Sequence, residues 1–341
     1  MKELYVIVNE KIYKNKDFIS CENKDIQSII NFLADKFKLI LFSRNSNFKK
    51  PFKLVSNLKI FDFNFIKIFK FLFLFSRLKK NKKKILIISI TPFNFITFFI
   101  FNCFYHCKFY LYLRSNGYEE YENIFGKNFI WIYNFMYKYM VKSCCIISCH
   151  QRLYEKKCHI LYPSELTDQW FKEIPKNFFY KNIINVLYVG RFKIEKGIYS
   201  LLDLFSKLPN NIKLTLVGDG DKIKKNNNNI KIINFINKEQ ELINIYDSSN
   251  IIILPSYTEA HPKVLDEALS RLKPVVIFNE IRYVINERLG VFCTERNSEK
   301  LKETIYYIVN NYNKIRNDIK KNILPTRKIF LNRLFKIINN S

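Results

Sequence analysis

Between residues 185 and 236 the chain repeats one pattern three times, a short apolar run closed by a turn. The runs are Asn185-Val-Leu-Tyr-Val-Gly-Arg-Phe-Lys-Ile-Glu-Lys-Gly197, Ile212-Lys-Leu-Thr-Leu-Val-Gly-Asp-Gly220 and Ile230-Lys-Ile-Ile-Asn-Phe-Ile236. Strands in such order predict an α/β fold with a doubly wound parallel sheet. A fourth run, Ile251-Ile-Ile-Leu254, is apolar at every position, as in a strand buried on both faces, and Pro255 and Ser256 end it.

The segment after the fourth run carries chemistry. Pro262 sits where the first turn of a helix tolerates a missing N–H, so Glu259 falls in a loop and Glu267 on a helix. Free N–H groups at a helix start can hold phosphate or sugar oxygens, and two carboxylates at different heights can accept hydrogen bonds from hydroxyls. The set suits a nucleotide-sugar. A Glu pair at this spacing alone is in most proteins an ordinary surface feature, so its neighbours decide. Arg191 and Lys196 project from the turn after the first run, with Gly190 ending the strand and Gly197 inside the turn. A guanidinium fork and an ammonium beside a helix start would stabilise a departing diphosphate.

Taken together, Val189-Gly-Arg191 with Glu195-Lys-Gly197, Val217-Gly-Asp-Gly220, and Pro255-Ser256 through Glu259 and Glu267 to Lys273-Pro-Val-Val276 resemble the glycosyltransferases of family 4. The resemblance covers residues 185 to 310. It implies the GT-B fold, two facing Rossmann-like domains with an interdomain cleft, and transfer that generally retains anomeric configuration. Carried over by position, Arg191 and Lys196 look like the diphosphate clamp, Glu259 like the carboxylate facing the donor sugar, and Glu267 like the group that binds the ribose. Backbone amides near His261, Lys263 and Val264 look like sugar and phosphate contacts, with Gly190 on the donor side. The family usually has Gly after the first Glu. Here Ala260 takes that place, and its Cβ narrows the backbone's approach to a donor.

The 341 residues are ample for two domains, and 57 basic against 30 acidic residues give a net charge of +27. Such a charge points to anionic partners. No nucleic-acid signature accompanies it, and Lys, Asn, Ile and Phe dominate throughout as in AT-rich coding sequences, so no nucleic-acid partner is expected. An anionic membrane surface fits better. Residues 65–80 join an apolar helix-length stretch to a basic run at 77–84, which suits a helix lying on a leaflet or one buried in the amino-terminal domain. Residues 85–105 are uncharged and long enough to span a bilayer, but Thr91-Pro92 is a turn and helix-start signal. They read instead as a strand and a buried helix, with another strand at 109–113. The amino terminus reads as the first strand and not as a secretory signal, which implies a cytoplasmic chain.

Eight cysteines without regular spacing fit a reducing compartment. Cys103, His106 and Cys107 complete no metal set, and Asp219-Gly-Asp221 reads as turn chemistry, so neither a metal nor a cofactor is expected. The first half has no glycine before Gly117, which excludes a Gly-rich phosphate loop after the first strand. Arg114, Asn116 and Glu119, in the turn after the strand at 109–113, and His150, after a run at 146–148, are the acceptor candidates. A helix-capping role is an equal alternative for that turn. The expected divisions are 1–163 for the acceptor domain, 164–184 for a linker, 185–315 for the donor domain and 316–341 for a helix crossing back. The expected function is transfer from a nucleoside-diphosphate-sugar to a saccharide or lipid-linked acceptor, with a nucleotide-sugar epimerase or an inactive sugar-nucleotide-binding partner as alternatives.

Overall fold

A computed structural model describes residues 2–15, 18–56, 58–62, 83–175, 183–221, 223 and 229–340. The chain forms two units, one of residues 1–165 with 328–341 and one of 166–327.

The first unit contains β1 (Glu3–Lys14), β2 (Ile19–Cys21), β3 (Lys38–Asn45), β4 (Phe52–Leu54), β5 (Lys59–Asp62), β6 (Lys83–Ile88), β7 (Cys107–Leu113), β8 (Cys144–Ser148) and β9 (His159–Ile160). Its parallel sheet runs β5-β3-β1-β6-β7-β8-β9, and β2 pairs antiparallel with the end of β1 and with β4. Among the described residues of 1–165 its α-helices are α1 (Lys24–Ala34), α2 (Pro92–Phe104), α3 (Gly117–Phe125) and α4 (Ile130–Ser143). The apolar stretch at 85–105 is a strand and a helix. Thr91 caps α2 by accepting from Asn94 N, and Pro92 occupies the first turn. Asn94 Nδ2 donates to the carbonyls of Ile88 and Ser89 at 2.7 and 2.9 Å, fixing the bend between the two elements. Among the described residues no helix is long and apolar enough to cross a membrane.

Most of the stretch expected at a membrane surface, 65–84, lies outside the described residues. Its last two lysines turn into the unit. Lys83 donates to the Tyr5 hydroxyl, and Lys84 donates to the carbonyls of Ile338 and Asn339 at 2.6 and 3.0 Å. A cation on the last carbonyls of a helix satisfies groups the helix leaves unpaired. That helix spans Arg327–Asn340.

The second unit contains β10 (Ile184–Val189), β11 (Ile212–Gly218), β12 (Ile230–Asn234), β13 (Ile251–Leu254), β14 (Val275–Phe278) and β15 (Val291–Thr294), all parallel in the order β12-β11-β10-β13-β14-β15. All four residues of β13 and of β14 are buried, as continuous apolar runs require. The helices are α5 (Ile198–Ser206), α6 (Glu239–Asp247), α7 (Lys263–Ser270), α8 (Ser298–Asn310) and α9 (Tyr312–Ile319). Leu166 and Trp170, within the span expected as a linker, are part of this core, as are Tyr312, Ile315 and Ile319 of α9. Arg271 holds the entering segment by donating to the carbonyls of Trp170, Lys172 and Glu173 and to both oxygens of Asp247.

Buried and half-buried thiols are expected to make the first unit sensitive to alkali. Burial pushes Cys21, Cys107 and Cys149 up to about 12, 11 and 12, and Cys144 and Tyr133 higher still. These groups are neutral when protonated, and in the unfolded chain they ionise near ~8.5 for Cys and ~10 for Tyr. Their contribution is therefore complete below the unfolded values and is lost as pH rises through the folded ones. In the second unit Lys273 has the opposite sign: burial pulls it down to about 8, so its contribution grows between there and its ordinary value. Lys83 and Lys84 of β6 are lowered in the same way, and Tyr188, Tyr246 and Tyr312 of the second unit share the thiols' sign but ionise later in the unfolded chain, at about 10, so the thiols titrate first. Hydrogen exchange at about pH 7.5 and about pH 10, either side of the unfolded thiol range, is expected to show protection falling more at β6, β7 and β8 than at β10, β13 and β14. An equal fall would remove the thiols from this explanation.

Candidate functional site

In the second unit, strand order reverses between β10 and β13, and in open α/β sheets ligands bind outside the carboxyl ends of strands at such a point. The loop after β10 and the loop after β13 meet there. Gly197 has φ +70, and a Cβ on it would stand 1.9 Å from the Pro255 carbonyl oxygen, so no other residue allows this approach. Tyr257 N donates to Glu195 O at 3.0 Å and joins the two loops. Their contact sets Lys196 Nζ 2.6 Å from Glu259 Oε1, with the side chains 22% and 13% exposed. Buried Ser256 donates its hydroxyl to the same oxygen at 2.7 Å, and Tyr283 donates to the Glu259 carbonyl at 2.6 Å. Two of the three residues expected to be catalytic are thus an ammonium and a carboxylate in direct contact at the mouth of the sheet.

Arg191, the third, is 70% exposed and lies 3.8 Å from Glu195, so its guanidinium is open to a ligand. Gly190 closes β10. A side chain there would meet the Tyr188 hydroxyl, which is committed to the Arg191 carbonyl at 2.7 Å. Glu267, on α7, accepts from the Tyr246 hydroxyl at 2.7 Å; burial holds that phenol protonated well above its ordinary range. The His261 ring is 4% exposed and faces the buried Asp266 at 2.9 Å, and Asp266 also accepts from Arg288. The residue as a whole is half-buried, so what His261 leaves open is main chain. Lys263 and Val264 begin α7 and are half-buried, and Pro262 is the cap, one position earlier than a first-turn residue.

Two residues that sequence patterns do not single out hold this arrangement. Arg296 donates to Ser200, to the Pro255 carbonyl and to Glu280, and its guanidinium stacks over the rings of Tyr257 and Phe278. Tyr283 both donates to and accepts from the backbone of Glu259. Arg296 comes after β15 as Arg191 comes after β10, a cation at a strand's carboxyl end, and that position is its only signal. Asp219 accepts from the neighbouring Gly220 N, and Asp221 pairs with Lys193 at 2.8 Å. Among the described residues no three His, Cys, Asp or Glu converge as for a metal ion.

The acceptor candidates lie at the carboxyl ends of β7 and β8 in the first unit. Arg114 pairs with buried Asp25 in the first turn of α1. Asn116 caps α3 by accepting from Tyr118 N, and its amide donates to Glu119 at 2.7 Å. His150 Nδ1 accepts from Arg152 N. Each therefore has a local structural role.

Residues 171–324 match the family described as glycosyl transferases group 1. An uncharacterized glycosyltransferase of Haemophilus influenzae is 30% identical over 139 residues, 37% of this chain and 39% of that protein. The chain spans about two-fifths of the length of the curated relatives it matches. Over 100% of this chain and 99% of the other, the fold is shared with sucrose-phosphate synthase from Thermosynechococcus elongatus at 15% identity and a TM-score of 0.72. Anabaena Alr3699/HepE, solved with UDP and glucose, superposes over 100% of both chains at 12% identity and a TM-score of 0.68. The chain has the GT-B fold, and its second unit is similar over residues 171–324 to the glycosyl transferases group 1 family.

Proposed function

We propose that this chain is a retaining glycosyltransferase that moves a sugar from a nucleoside-diphosphate-sugar to a saccharide or lipid-linked acceptor. Its setting in this reading is cytoplasmic assembly of cell-surface polysaccharide. The observation that carries the reading is the Lys196–Glu259 pair at the switch point of the second sheet. Without a ligand the two charges satisfy each other. A diphosphate would draw the ammonium of Lys196 and the guanidinium of Arg191 onto its oxygens, leaving the Glu259 carboxylate to accept from sugar hydroxyls. Glu267, oriented by Tyr246, would accept from the ribose, and main-chain N–H groups at 261–264 would donate to sugar or phosphate oxygens. The acceptor hydroxyl would then attack the face of the anomeric carbon that the diphosphate leaves. Eight cysteines without regular spacing fit a reducing setting.

A ligand that binds only the folded state raises apparent stability by RT ln(1 + [L]/Kd), about 2.7 kcal/mol at a hundredfold excess over Kd. One nucleoside-diphosphate-sugar is therefore expected to raise the melting temperature in the presence of a chelator, and to lose its sugar only when acceptor is added. An altered sugar without acceptor would identify an epimerase. Binding without turnover under any acceptor would leave a sugar-nucleotide-binding partner, with Ala260 as the place to look.

A further inference from the structure

We propose that the first unit binds anionic membrane surface through an aromatic face built by α2 and α4. It concerns residues 95–142, apart from the stretch at 65–84, and it holds whether or not the chain transfers a sugar.

On α4 the exposed positions Trp131, Phe135, Lys138 and Lys142 recur at helical spacing and share one face. α2 carries no charged residue at all, and Phe99 on it is exposed. The two helices meet through their rings, with Phe99 5.7 Å from Tyr139 and Phe95 5.7 Å from Phe135. Phe129, exposed just before α4, lies with its ring tilted 6.3 Å from that of exposed Phe125. Exposed single aromatics are ordinary, but a joined set on two neighbouring helices marks a surface that is covered in use.

The charges choose the covering. Lys138 and Lys142 have no carboxylate partner among the described residues, and α4 contains no acidic side chain. Lys127 is excluded from the count because Glu122 lies 3.7 Å away, and Glu119 and Glu120 place further negative charge on α3. Protein interfaces are depleted in lysine, whereas membrane interfaces combine Trp and aromatic rings at headgroup depth with lysines against acidic lipid. A net charge of +27 adds long-range attraction to such a leaflet.

The two tryptophans give a direct readout. Trp131 is 68% exposed on this face, and Trp170 is 2% exposed in the core of the second unit. The full chain is mixed with vesicles of phosphatidylcholine alone or with phosphatidylglycerol, and binding is measured by sedimentation and tryptophan emission. The expected result is a blue shift and quenching by brominated acyl chains, stronger with phosphatidylglycerol. Both emission signals should vanish in Trp131→Phe while sedimentation persists. Phe135→Ser should weaken binding by on the order of tenfold. Lys138→Gln with Lys142→Gln should weaken binding to acidic vesicles about fivefold per lysine and leave neutral vesicles unaffected. Sedimentation with acidic vesicles but no change at Trp131 would overturn the proposal in favour of another surface. So would a blue shift that rises with protein concentration without vesicles, which marks self-association, and so would no binding at all.

Discussion

Lys196→Ala should lower turnover by roughly two to three orders of magnitude, the loss seen when one charge-stabilising donor is removed from a reacting centre. The ammonium stands 2.6 Å from Glu259 in a half-buried setting, where its charge acts through less water than a surface lysine's. Removing it withdraws a cation from the departing diphosphate and leaves the Glu259 carboxylate with the Ser256 hydroxyl beside it. Turnover at saturating donor checks this. Lys196→Arg keeps the charge but not the reach, so it should recover part of the loss. Arg191→Ala should fall in the same direction, because that guanidinium is open and beside the same loop. Unchanged turnover in both alanine variants would discard the clamp.

The second large effect concerns stability. Arg271 is 1% exposed, makes a two-pronged ion pair with Asp247 at 2.8 and 2.6 Å, and donates to three carbonyls of the entering segment. Breaking a buried pair from one side typically destabilises by about 3–5 kcal/mol, and here, with Asp247 half-buried, the loss of Arg271 also leaves the carbonyls of Trp170, Lys172 and Glu173 without their donor. For a unit of this size, each kcal/mol lowers the melting temperature by about 2–4 °C. Arg271→Ala is therefore expected to melt roughly 6–20 °C below the parent chain. Arg271→Met with Asp247→Leu should regain much of that, since replacing both partners removes the orphaned charge. A melting temperature indistinguishable from the parent's would mean that the segment at 166–173 is held by Leu166 and Trp170 alone.

The second unit is legible in the sequence because β10, β11 and β13 are short, apolar and closed by Gly190, Gly218 and Pro255, a pattern that leaves little choice of periodicity. Glu259 and Lys196 stand out from motif order, but their contact does not. It depends on Gly197 permitting two backbone segments to touch across the sheet, a fact of φ and packing that sequence spacing does not encode. Arg296 and Tyr283 escape notice for the same reason. Both act on the backbone of Pro255 and Glu259 from elements far along the chain. The strand and helix at 85–105 are readable from Thr91-Pro92, whereas the inward course of Lys83 and Lys84 is not, because a basic run looks solvated until the end of α10 (Arg327–Asn340) supplies its carbonyls. Leu166 and Trp170 look like a linker since an isolated pair of apolar residues has no period.

The central claim is that a nucleoside diphosphate occupies the switch point of the second sheet with Lys196 on its phosphates and Glu267 on its ribose. Calorimetric titration with the free nucleoside diphosphate of the donor tests it without any acceptor. Lys196→Ala should weaken binding by about tenfold or more, the size of a charge-assisted contact, and Glu267→Gln should do so only for the ribose form and not for inorganic pyrophosphate. Equal affinity for the nucleoside diphosphate in the parent chain and both variants would place the donor elsewhere and contradict the account.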